Sequence, residues 1–241
     1  MNRKLKLILD IAMGTVIPIF VLNNLNEQLG TTVTYVIAAL IPVAWVLTDL
    51  LLITRRFNFI TSYIGAAALM RGLLSFWFVD GIQFAFKDSV GAIFTVVVFG
   101  ISVIIHKPVM YYFLMQGMGP DSPDREQSLK RLLAEPKVHR SLVHGTILVL
   151  VVHLWTGIAN FSLNLRIVVA SFGTALFNQQ VAQANAITRI VLAIPELMGV
   201  AIAAVLIRRA MLGYLPQDDD DDQSESDFWD LLKRREIQQQ S

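Results

Sequence analysis

Long apolar blocks broken by short polar segments set the pattern of this chain. Six blocks run Leu5–Leu22, Thr32–Ile53, Phe59–Val79, Ser89–Ile105, Ser141–Ala159 and Ile187–Ile207. A helix needs about 20 mostly apolar residues to cross roughly 30 Å of hydrocarbon. Ser89–Ile105 is shorter, but Phe84 to Phe86 can lengthen it, with Lys87 snorkelling outward. A helix satisfies its own backbone hydrogen bonds in lipid. The alternating ten-residue strands of a membrane barrel are absent. The expected fold is therefore all-α: a polytopic transmembrane bundle of about six spans, forming one domain over residues 1–215.

The segments between the blocks carry their own signals. Asn160–Ala186 contains an apolar stretch too short to span, Ile167–Phe177, followed by a run rich in Asn and Gln. It reads as an outside loop or interfacial helix; a re-entrant element in a polar cavity is the sharper alternative. Ser122-Pro123 is a helix start, an N-cap followed by proline, with Leu129, Leu132 and Leu133 on one face and Pro136 as the stop. Residues 216–241 form an acidic tail. Its Asp218–Asp222 run reads as solvated, and Ser226 can cap a short amphipathic helix presenting Phe228, Leu231 and Leu232. Removal of this tail is expected to leave stability nearly unchanged.

Composition agrees with a membrane protein: 54% of the 241 residues are hydrophobic and 16% charged, with a mean hydropathy of +0.55. Charge position adds orientation. With the N-terminus inside, the inside segments hold 16 of the 20 basic residues. These include Arg3, Lys4, Arg55, Arg56, Lys107 and Arg208. The positive-inside rule then places both termini in the cytoplasm, with the loop 106–140 on the same side. Asp10 within the first block, and the lack of a small-residue cleavage site, argue that this block is retained as a span. The chain has no cysteine, which excludes disulfides, thiol catalysis and cysteine-bound metal.

No phosphate-binding glycine loop, zinc-protease helix or serine-hydrolase elbow occurs, so no catalytic activity, cofactor or metal is expected. His144 and His153 are nine apart and fall on opposite faces of one helix. The ionisable residues within the spans carry more, because each is costly in lipid. At a rise of about 1.5 Å per residue, Arg71, His153 and Glu196 all lie about 16–18 Å above the inner boundary. Asp10 and Asp49 form a lower layer at roughly 6–8 Å. One reading makes Arg71, His153 and Glu196 a polar centre with Asp10 and Asp49 at its inner mouth. The blander and favoured reading is an Arg71–Glu196 ion pair that pins helix packing.

The chain also resembles a known family. The residues are Thr54-Arg55-Arg56-Phe57 after the second block, His106-Lys107-Pro108-Val109-Met110 after the fourth, and Trp155-Thr156-Gly157-Ile158-Ala159-Asn160 closing the fifth. In this order they resemble the bacterial intracellular septation protein A-like family over about Leu5 to Asn160. The longer inside loop, the Asn/Gln-rich segment and the acidic tail depart from it. The resemblance implies a bacterial inner membrane and action through envelope or division proteins. The expected partners are thus the lipid bilayer, such proteins and a second copy of the chain, with no nucleic acid. The alternative function is a small transporter or channel using the mid-membrane charges.

Overall fold

The computed structural model describes residues 9, 12–54, 59–120, 122–216 and 228–240. The regular structure among these residues is all helical, with no strand. The helices are α1 (Ile17–Asn24), α2 (Asn26–Leu29), α3 (Thr31–Thr48), α4 (Phe59–Ser75), α5 (Gly81–Ile104) and α6 (Val109–Gly117). They continue with α7 (Pro123–Ala134), α8 (Pro136–Ile167), α9 (Ala175–Val191), α10 (Ala193–Leu212) and α11 (Phe228–Gln240). Wider π-type turns precede α1 at Ala12–Val16 and follow α3 at Asp49–Thr54.

Four stretches are long and apolar enough to cross a membrane: Thr31–Thr48, Gly81–Ile104, Pro136–Ile167 and Ala175–Leu212. Their outward surfaces are those of lipid-facing helices. Ile104, Ile190 and Leu197 are each at least 70% exposed, a pattern that would be an aggregation hazard in water. The elements differ from the sequence blocks in instructive ways. The fourth block grows to 24 residues as α5, because Phe84 and Ala85 are buried core positions. Lys87 does not snorkel: it is 7% exposed, and its Nζ donates to the Trp77 carbonyl at 2.7 Å. The last block is not one helix. It breaks at Leu192, where Pro195 lacks an N–H for the Val191 carbonyl and its ring crowds that turn.

The chain divides into two compact units, Met1–Val96 with Val152–Glu196, and Val97–Val151 with Leu197–Ser241. In the first, α1, α3 and α9 meet around Val21, Leu22, Tyr35, Phe84, Phe177 and Val181. Residues 160–186 are therefore mostly helical rather than a loop. Asn160–Ile167 extends α8, and α9 begins at Thr174, whose side chain caps the Phe177 N–H at 3.1 Å. Phe177, Asn178 and Ala182 of α9 are fully buried, so its amphipathic face packs on protein. The intervening loop is held by polar side chains. Gln180 Oε1 accepts the Val169 and Ala170 N–H groups, and Asp80 Oδ2 accepts that of Phe172. Gly30, at φ 78°, makes the left-handed turn from α2 into α3.

In the second unit α7 starts at Ser122, whose side chain accepts the Arg125 N–H, and buries Leu129, Leu132 and Leu133. These join Leu142, Ile207, Met211 and Leu215 in a second core. The same core takes Leu231 and Leu232 of α11, with Phe228 and Trp229 against its edge. The tail thus ends in a docked helix rather than a solvated segment. Ser226 and the Asp218–Asp222 run lie outside the described residues. Gly145 faces Ala203 and Ile207, so α8 and α10 approach closely through small residues.

At the end of α5, His106 takes φ 58°, a conformation that favours glycine, and Lys107 N–H reaches back to the Ser102 carbonyl. A residue with a Cβ pays strain there. His106→Gly should raise stability by about 0.5–1 kcal/mol, read as a higher melting temperature of the purified protein. A lower melting temperature would show that the His106 side chain contributes more than its backbone strain takes away.

Candidate functional site

Helical spacing collects polar side chains on one face of several helices of the first unit. On α8 the series His153, Thr156, Asn160, Asn164 recurs at three, four and four residues. On α4 it is Tyr63, Arg71 and Ser75, and on α5 Asp88 and Thr95. On α9 and α10 it is Asn185, Arg189 and Glu196. Residues at these intervals share a helix face. Apart from Asn164 they line one cavity of about 730 Å³, with Lys87, Tyr35, Phe84, Val43 and Leu22 among its other walls. That volume falls within the roughly 300–1,000 Å³ range of small-molecule sites.

The three mid-depth residues singled out from sequence all line this cavity. The structure revises which of them touch. Glu196 Oε1 lies 3.5 Å from His153 Nδ1 and accepts the Thr156 hydroxyl at 3.0 Å. Arg71 makes no contact with Glu196 within 4.0 Å, although its charge still acts on that carboxylate. The break at Leu192 explains the substitution: it starts a new helix, placing Glu196 in the first turn of α10 and facing α8. The Arg71 guanidinium instead lies against Gly91 of α5, where an added Cβ would stand 2.7 Å from its Nη2. The inner-mouth acids do not join the site. Asp49, half-buried just after α3, is not part of the cavity wall, while Asp10 lies outside the described residues.

Sequence depth missed several members. Asp88 Oδ2 accepts amide N–H groups from Asn160 at 3.0 Å and Asn164 at 2.8 Å, and Asn160 also donates to Ser89 Oγ at 3.2 Å. These contacts join α5 to α8, which approach closely because Gly157 faces Ala92. Tyr63 OH and Thr95 Oγ1 are hydrogen-bonded at 2.6 Å between α4 and α5. Lys87 Nζ sits 4.7 Å from the centre of the Tyr35 ring, a cation–π distance. The readable signal was the i, i+4 stripe on each helix rather than the depth of isolated charges.

The charged wall groups are Arg71, Lys87 and Arg189 against Asp88 and Glu196. Leaving His153 aside, these sum to one positive charge in excess. Among the described residues no group of three or more His, Asp and Glu side chains is placed to hold a metal ion. The arrangement suits reversible binding of a polar solute: fixed donors, a carboxylate held by two partners, and cations on separate helices.

The architecture defines an all-helical protein with helices of membrane-crossing length around a polar cleft. No protein-family model, no curated protein and no solved structure matches the chain.

Proposed function

We propose that this chain is a multi-pass inner-membrane protein that binds a small polar solute in the cleft of its first unit and passes it across the bilayer. One observation carries the reading. Arg71, His153 and Glu196, costly in an apolar bundle, are not sealed in a dry pair but line a cavity large enough for a solute. The six-span arrangement with both termini cytoplasmic belongs to this proposal, supported by the inside placement of 16 of the 20 basic residues. So does the bacterial inner membrane, which the septation protein A-like resemblance implies. Pro42 in α3 and the break at Leu192 leave backbone carbonyls without helical partners beside the cleft, as in helices that bend around a substrate.

The reading in which the protein acts only through envelope or division partners needs the inside loop and tail as free contact surfaces. Their apolar faces are instead packed into one core, with Arg235 paired to Glu135 and Arg131 3.5 Å from Glu236.

The lack of native cysteine makes the test clean. Single cysteines at Thr156, Asn160 and Asn185 should react with a membrane-impermeant thiol reagent in intact membranes. Cysteines at the outward-facing Trp155 and Leu197 should not. Unreactive cleft positions would mean a dry interior and would return the protein to the partner-acting class.

A further inference from the structure

The cleft's chemistry also points to what it binds, on the assumption that it is a solute cleft. Arg71 is the outstanding group. It lies on α4 one turn before that helix ends at Ser75, and it lines the cavity. Yet it makes no hydrogen bond or ion pair among the described residues. The other charges of the wall are engaged: Glu196 by His153 and Thr156, Asp88 by two asparagine amides, Lys87 by the Trp77 carbonyl and the Tyr35 ring, and Arg189 is not free either. The guanidinium is held in position by shape, because Gly91 leaves the room in which it lies.

A single excess positive charge is neutralised by one monoanion. A guanidinium offers a planar fork of donors that matches the two oxygens of a carboxylate. The remaining wall, with Leu22, Val43 and Phe84, suits an organic body. We propose that the ligand is a small water-soluble organic monocarboxylate and that Arg71 docks its carboxylate group.

The test uses the purified full-length protein in nanodiscs of uncharged lipid. Benzoate and hexanoate are compared with benzamide and hexanamide, by melting temperature and by calorimetric titration. The acids should bind at least about tenfold tighter than their amides, the ratio expected of a charge-assisted hydrogen bond. Arg71→Gln should remove that preference, and Arg71→Lys should keep part of it. Should Arg71→Gln fail to fold, Gly91→Ala serves in its place. Its methyl group displaces only the end of a flexible side chain and should weaken acid binding while leaving amide binding unchanged.

Equal binding of acids and amides overturns the proposal, and so does an acid preference that survives Arg71→Gln. Stabilisation by palmitate alone overturns the water-soluble class and assigns the carboxylate to a lipid. Binding of neither series also overturns it. The solute-cleft reading stands or falls separately, on the reactivity of the introduced cysteines.

Discussion

A chain ended after Pro216 should melt on the order of 10 °C below the full-length protein and accumulate poorly in membranes. The loss comes from α11. Leu231 and Leu232 are 7% and 1% exposed, in a core with Leu129, Leu132 and Leu133 of α7. Burying a leucine stabilises by roughly 1.5–3 kcal/mol, so the two supply about 3–6 kcal/mol before the entropy of ordering the helix. Truncation also bares the α7 leucines to water. It strands Glu135, whose partner Arg235 is 6% exposed, and removes the Trp229 ring from beneath Arg125, 5.3 Å from the ring centre. Leu231→Ala with Leu232→Ala, in an otherwise intact chain, separates apolar burial from the rest. It should give about half or more of the shift, since a buried leucine cut to alanine typically loses about 2–5 kcal/mol. A truncated protein that melts with the full-length chain would show that α11 contributes no net stability where it docks.

Asn178→Ala should lower the melting temperature by about 5–10 °C, the equivalent of about 2–3 kcal/mol. Asn178 is 1% exposed on α9, and its Nδ2 donates to Asn26 Oδ1 at 2.5 Å and to the Thr31 carbonyl at 2.9 Å. One amide group thus fixes α9 to the α2–α3 junction. Alanine leaves both acceptors without their donor and opens a small void beside Phe177. Asn178→Asp should be at least as damaging, because it turns a carboxylate toward two acceptors. Asn26→Ala should do less, since Asn26 is half-buried and water can replace it. If Asn178→Ala melts like the unaltered protein, the α9 contact is not part of the cooperative core.

The candidate site was legible only in part. Arg71, His153 and Glu196 were found by depth, because a charge in an apolar block is conspicuous and rise per residue is a property of the helix alone. Depth says nothing about rotation, and rotation decided the partners. A helical-face projection would have placed Asn160, since His153, Thr156, Asn160 and Asn164 fall on one stripe of α8, and Asp88 with Thr95 on one face of α5. Asp49 passed the depth criterion and failed the facing one.

What the chain determined by itself is therefore the one-dimensional part: helices rather than strands, apolar lengths, the α7 cap at Ser122, and the distribution of basic residues. Each follows from local hydrogen bonding, side-chain polarity or a boundary residue. The tertiary structure decided what depends on neighbours. Lys87 turned inward because the Trp77 carbonyl and the Tyr35 ring were there to receive it. Residues 175–191 became a core helix because Phe177 and Asn178 found partners on α3 and α2. Glu196 paired with His153 rather than Arg71 because Pro195 broke the helix one turn before it and Gly91 offered the guanidinium another seat. A polar side chain in an apolar helix must find a partner somewhere; which partner is set by helix rotation and close approach, and neither is written in the residue's own position along the chain.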